Sequence, residues 1–132
     1  MSKRILVVDD RPHLLALLRM ILEDEQYQVS VLKEGRGVVE HVRENPPDLV
    51  ILDLKLADAE GADILESLRA HTSTADIPVI VYTAAVIEAE SVANLIASNP
   101  TRYRNVSVLQ KPFELDVLLE RVQEVLGVAE SR

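Results

Sequence analysis

The chain has 132 residues, 48% of them hydrophobic and 27% charged, which suits one domain with a substantial core and excludes a two-domain enzyme or a disordered tract. Its 14 Lys and Arg stand against 22 Asp and Glu, and the formal net charge of −8 repels phosphate backbones and anionic lipid surfaces. Cysteine is absent, so thiol nucleophiles, disulfides and zinc–thiolate sites are excluded, and no run approaches the ~20 apolar residues of a membrane span.

The first apolar run, Ile5-Leu6-Val7-Val8, is too short for a signal peptide and reads as a strand, and a cytoplasmic protein is expected. After Asp9-Asp10, the residues Leu14, Leu15, Leu18, Ile21 and Leu22 recur at three- and four-residue intervals and line one face of a helix. A second strand over Val29 to Leu32 precedes a helix from about Gly37 to Glu44. A third, Leu49 to Leu52, precedes a helix that begins near Gly61 and carries Ile64, Leu65 and Leu68. Ile77 to Tyr82 forms the fourth strand, followed by a stripe of Ala89, Val92, Ala93 and Ile96. Val106 to Leu109 forms the fifth, followed by Leu115, Leu118, Leu119, Val122 and Leu126. One domain over residues 3–127 is expected, with a short tail at 128–132.

Five alternating strand–helix units predict a parallel sheet covered by helices on both faces. The first, third and fourth runs are almost unbroken apolar, as centrally buried strands are, whereas Ser30 and Ser107 interrupt the second and fifth. An order of 2-1-3-4-5 puts those two at the edges. It makes strands one and three neighbours where the winding direction reverses, the place where open α/β sheets form sites beyond the carboxyl ends of their strands.

The residues that follow the runs are Asp9 and Asp10, Asp53, Thr83 and Lys111. Three carboxylates meeting at one switch point repel each other unless a cation offsets them. Oxygen ligands with water positions left over suit Mg²⁺ paired with a phosphate. Thr83 and Lys111 add a hydroxyl and a positive charge, the groups that a transferring phosphoryl group needs. A carboxylate can itself accept it as an acyl phosphate. Taken singly, each residue has a plainer role: a helix cap for Asp10 or Thr83, a solvated loop position for Lys111.

Ile5-Leu6-Val7-Val8-Asp9-Asp10, Pro47-Asp48-Leu49-Val50-Ile51-Leu52-Asp53, Val81-Tyr82-Thr83-Ala84 and Lys111-Pro112-Phe113 occur in this order along essentially the whole chain. They resemble the motifs of the receiver domains of two-component response regulators, and Gly61 matches the family's glycine at the start of the third helix. The resemblance implies a flavodoxin-like (βα)5 doubly wound sandwich. It implies that Asp53 takes a phosphoryl group from a histidine kinase or phosphotransfer protein, with Mg²⁺ held by Asp9, Asp10, Asp53 and the main-chain carbonyl of Lys55. It further implies that Lys111 pairs with the phosphoryl group, that the Thr83 hydroxyl follows phosphorylation, and that the Lys111–Pro112 peptide is cis. Such a domain is a signalling phosphoacceptor that assists its own phosphorylation and dephosphorylation rather than an enzyme. Its output is contact with a downstream protein or onward phosphoryl relay, with no direct nucleic-acid binding and no membrane insertion.

The chain departs from the family pattern in three places. After Asp53, only Glu60-Gly61 of the usual proline and acidic-glycine signature is present, and Lys55 adds a cation where it can alter the lifetime of an acyl phosphate. The interval from Thr83 to Lys111 exceeds the usual spacing by more than one helical turn. Ser98 to Asn105 fills it and reads as a helix stop followed by a solvated loop carrying Arg102, Tyr103 and Arg104. Val108 stands where receivers often carry an aromatic residue, with Tyr103 a substitute only if the inserted loop folds back. His13, His41 and His71 lack ligand spacing and read as surface or boundary residues. Two other functions compete with the receiver reading. One is a binding module that keeps the fold without regulated phosphorylation. The other is an aspartyl-phosphate hydrolase, disfavoured because Lys55 stands where the general acid would be.

Overall fold

The structure is a computed structural model and describes residues 2–110 and 115–127. Its elements are β1 (Arg4–Val8), α1 (Pro12–Asp24), β2 (Gln28–Leu32), α2 (Val38–Glu44), β3 (Leu49–Leu52), α3 (Gly61–Ala70), β4 (Val79–Thr83), α4 (Val86–Ser98), β5 (Val106–Gln110) and α5 (Leu115–Leu126). All strand pairs are parallel and the sheet order is β2-β1-β3-β4-β5, so the two serine-interrupted strands are the edges, as their composition predicts. The fold is the flavodoxin-like (βα)5 doubly wound sandwich.

The period-2 alternation of strand side chains divides the core between the two faces. Leu6, Val8, Val50, Leu52, Val79 and Val81 meet Val38, Val42, Ile64, Leu65, Leu68 and Val92 on one side. Ile5, Val7, Leu49, Ile51, Ile80 and Tyr82 meet Leu15, Leu18, Leu22, Leu118 and Val122 of α1 and α5 on the other. Burial on both faces is why these strands read as unbroken apolar runs. Pro12 opens α1, where its missing N–H costs nothing. Gly37 precedes α2 at φ 87°, a conformation that a side chain would strain. Among the described residues no helix is long and apolar enough to cross a membrane.

The inserted segment after α4 differs from its expected character as a solvated loop. Tyr103 is 2% exposed and joins the α2–α3–α4 side of the core, and its hydroxyl donates to Glu66 of α3. Arg102 pairs with Glu66 and Arg104 with Asp76. Buried Arg69 gathers the same region by donating to the carbonyls of Ile77 at 2.9 Å and Arg104 at 3.0 Å. The turn feeds the start of β5, and Val106 lies opposite Val79 at the amino end of β4. Thr83 closes the other end of β4, so Tyr103 packs at the far end of the sheet and cannot act as an aromatic partner of that residue. His13 is exposed, and His41 and His71 are half-buried, each apart from any acidic or histidine cluster among the described residues.

Truncating Tyr103 removes a large buried ring, and Tyr103→Ala is expected to lower unfolding free energy by about 3 kcal/mol or more. Tyr103→Phe, which loses only the bond to Glu66, should cost about 1 kcal/mol; urea denaturation of the three proteins measures both.

Candidate functional site

Parallel pairing builds the site. Val8 lies opposite Leu52, and Leu52 opposite Val81, so β1 and β3 end in step while β4 runs two residues further, to Thr83. The ladder continues one residue further: the Asp53 N–H donates to the Val8 carbonyl at 3.0 Å, and the Asp9 N–H to the Leu32 carbonyl at 3.2 Å. These bonds set Asp9 and Asp53 side by side at the switch point between β1 and β3. Asp9 is 0% exposed, Asp53 5% and Thr83 1%, while Asp10 is half-buried.

Asp9, Asp10 and Asp53 each bring a carboxylate oxygen within 4.8 Å of the others. Three hard, anionic oxygen donors at this spacing fit a small divalent cation such as Mg²⁺. Asp10 does not cap α1; its Oδ2 accepts the Ala57 N–H at 2.8 Å, which ties β1 to the loop between β3 and α3. Asp9 makes the local turn instead, its Oδ1 accepting the Arg11 N–H at 2.9 Å. The Lys55 N–H points to Asp53 Oδ1 at 3.4 Å, whereas the Lys55 ammonium reaches out to Glu88 of α4 at 3.2 Å. The Thr83 hydroxyl accepts the Ala85 N–H at 3.0 Å ahead of α4 and also supports the Asp53 carboxylate, so its capping and site roles coexist. Asp10, Arg11, Asp53, Lys55, Thr83, Ala84 and Ala85 line an open cleft of about 370 Å³. Lys111, the Lys111–Pro112 peptide and the tail at 128–132 lie outside the described residues.

Three contributors escaped sequence reasoning. Arg11 places its guanidinium over the carboxylates, with Nη2 2.8 Å from Asp9 Oδ2 and 3.6 Å from Asp53 Oδ2. Asp58 accepts the N–H groups of Gly35 at 2.7 Å and Arg36 at 2.9 Å, clamping the loop after β2 to the loop after β3, and these bonds hold its carboxyl below the usual range. Glu88 partners Lys55 across the cleft. Arg11 and Asp58 follow strand ends as ordinary loop residues, and nothing in their spacing marks them. Gly61 carried a legible signal: a Cβ there would stand 2.6 Å from the Asp53 carbonyl oxygen, so only glycine lets α3 start against the backbone of Asp53.

The family model described as response regulator receiver domain matches residues 5–123. The chain belongs to that family. Its relatives include the transcriptional regulatory protein KdpE of Mycobacterium tuberculosis, 37% identical over 119 residues, which are 90% of this chain and 49% of that protein. The chain thus spans about half the length of the curated relatives it matches. Among solved structures, the non-phosphorylated HemR receiver domain of Leptospira biflexa superposes with a TM-score of 0.80 at 28% identity, covering 99% of both chains. The receiver domain of the sensor histidine kinase PA1611 of Pseudomonas aeruginosa, with a magnesium ion coordinated in its active-site cleft, shares the fold at a TM-score of 0.77 and 22% identity, over 96% of this chain and 99% of that one. Receiver domains are signalling modules of two-component systems rather than conventional enzymes, and response regulators work with histidine kinases.

Burial first, and the charge of Asp9 second, push the Asp53 carboxyl above its ordinary 3.8; the Lys55 N–H, the Thr83 hydroxyl and Arg11 pull it partly back. A raised folded-state value means that stability is complete below the ordinary value and is lost as pH rises through the raised one. Ionised Asp53 is therefore a cost at neutral pH in the metal-free receiver. Asp53→Asn should raise the metal-free thermal midpoint at neutral pH, and the gain should shrink as pH falls towards about 4; melts in chelator across that range measure both effects.

Proposed function

We propose that this receiver accepts a phosphoryl group on Asp53 from a histidine kinase or histidine phosphotransfer protein in a Mg²⁺-dependent reaction, and so switches its contacts with a downstream protein. The observation that carries this reading is the Asp53 carboxylate, 5% exposed at the end of β3, with a cleft open in front of it and Asp9, Asp10 and Thr83 around it. A carboxylate desolvated in this way is a better nucleophile than one in water. Transfer forms a bond between an Asp53 oxygen and phosphorus as the donor's phosphorus–nitrogen bond breaks. The electron pair returns to the imidazole, which takes up a proton.

Asp9, Asp10 and Asp53, together with the main-chain carbonyl of Lys55, would hold the Mg²⁺. When bound, the ion neutralises crowded carboxylates and the phosphoryl oxygens. In this reading Thr83 donates its hydroxyl to a phosphoryl oxygen and Lys111 pairs with another. The Ala85 N–H bond at the head of α4 then links that hydroxyl to the next helix. One domain over 3–127 carries this activity, and the net charge of −8 favours protein surfaces in the cytoplasm over nucleic acid as its contacts.

Incubation with Mg²⁺ and a small acyl-phosphate donor should add one phosphoryl mass, and the increment should vanish in Asp53→Ala; intact-mass spectrometry gives the answer, and no increment in the parent protein would sink the proposal. A second expectation concerns lifetime. The exposed Lys55–Glu88 pair joins the loop after β3 to the head of α4 beside the cleft. If it restricts water, Lys55→Ala and Glu88→Ala should each shorten the acyl phosphate's lifetime by up to about fivefold. Decay rates identical to the parent's would remove the role.

A further inference from the structure

We propose that, among the described residues, Arg11 is the resident counter-ion of the acidic trio in the metal-free receiver and competes with the divalent cation for Asp9, so that this side chain tunes the site's metal affinity. The inference rests on the metal reading of Asp9, Asp10 and Asp53 given above. The guanidinium engages both oxygens of Asp9: Nε lies 3.1 Å from Oδ1 and Nη2 2.8 Å from Oδ2. Such a fork-to-fork pair is the strongest geometry available to an arginine and a carboxylate. The same Nη2 stands 3.6 Å from Asp53 Oδ2, so one guanidinium spans the two most buried carboxylates of the trio.

Local structure gives Arg11 no other reason to be there. It is the residue at the N-cap of α1, its side chain makes no capping bond, and a cation at a helix's amino end opposes the helix dipole. The carboxylates therefore hold it in place. The other described cation beside the cleft, Lys55, is engaged by Glu88 on the far rim. Among the described residues Asp10 is bound by a single backbone donor, Ala57, and keeps oxygen lone pairs available.

Oδ1 of Asp9 already accepts two N–H groups of Arg11, the backbone one at 2.9 Å and Nε at 3.1 Å, and Oδ2 accepts Nη2 at 2.8 Å. A metal ion that takes Oδ2 must share it with, or displace, a guanidinium at short range, and the two cations repel. The Arg11 side chain is 48% exposed, so it can swing into water without a cavity or an unsatisfied donor behind it. The acidic trio thereby avoids bare like-charge repulsion without metal, at the expense of weaker metal binding.

The test is calorimetric titration of Mg²⁺ alone, without any phosphoryl donor, into the parent protein, Arg11→Gln, Arg11→Lys and a control, Arg19→Gln. Arg19 lies on the same helix and pairs with Glu23 instead of the trio. Arg11→Gln should bind Mg²⁺ about tenfold more tightly, about what one charge-assisted pair is worth. Arg11→Lys should fall between it and the parent, and Arg19→Gln should match the parent. In melts, Arg11→Gln should lose midpoint in chelator and show the larger rise on adding Mg²⁺. Unchanged or weaker affinity in Arg11→Gln, or equal tightening in Arg19→Gln, would overturn the competition. Absence of Mg²⁺ binding in both the parent and Arg11→Gln would overturn the metal reading, and the inference with it.

Discussion

The parallel pairing of β1 with β3 is the constraint on which the rest of the site depends. Val8 and Leu52 end their strands in register, and the ladder bond from the Asp53 N–H to the Val8 carbonyl carries that register one residue beyond the sheet. Asp9 and Asp53 consequently stand side by side with their carboxylates almost wholly buried. A slip of one residue would turn Ile5, Val7, Leu49 and Ile51 out of their half of the core, so the same burial that stabilises the sheet enforces the meeting of the two acids.

Crowded acids are costly, and the surrounding groups reduce that cost in several ways. Backbone N–H groups of Arg11, Lys55 and Ala57 point at one carboxylate each. The Arg11 guanidinium adds positive charge across Asp9 and Asp53, and Thr83 supports Asp53 from β4. The loops that supply these donors are themselves tied down. Asp58 binds the backbone of Gly35 and Arg36, and Gly61 lets α3 begin against the backbone of Asp53 and Leu54. Burial still prevails at Asp53, whose carboxyl remains above its ordinary value. An acid held in this condition gains from a nearby cation or from the loss of its charge.

The opposite end of the sheet carries the chain's largest departure from the family pattern, and the added residues serve packing. Tyr103 fills the core beside α3, while Arg69 and the pairs Arg102–Glu66 and Arg104–Asp76 fasten the turn between α4 and β5. The two ends of α4 therefore differ. Its carboxyl end leads into a turn bonded to α3, whereas its amino end presents Val86 and Ile87, 50% and 76% exposed, next to the cleft. Tyr103 is committed to the core far from Thr83, so the pairing of that threonine with a mobile aromatic residue has no counterpart in this turn.

The sequence by itself determined the order and kind of the elements, because hydrophobic periodicity is a one-dimensional record of burial: two-sided strands read as unbroken runs, helices as stripes, and the edge strands as runs broken by Ser30 and Ser107. It also marked Asp9, Asp10, Asp53 and Thr83, since each stands at or just beyond the end of an apolar run and strand ends converge in a parallel sheet. Only the tertiary structure decided what long-range neighbours do. Arg11 could face solvent until β3 brought Asp53 to it, and Tyr103 looked like a loop residue until α3 offered it a pocket and Glu66. Asp10 looked like a cap until the loop after β3 supplied the Ala57 N–H. Such partners lie tens of residues apart, and local pattern carries no information about which of several satisfactory partners a polar side chain meets once the chain is packed.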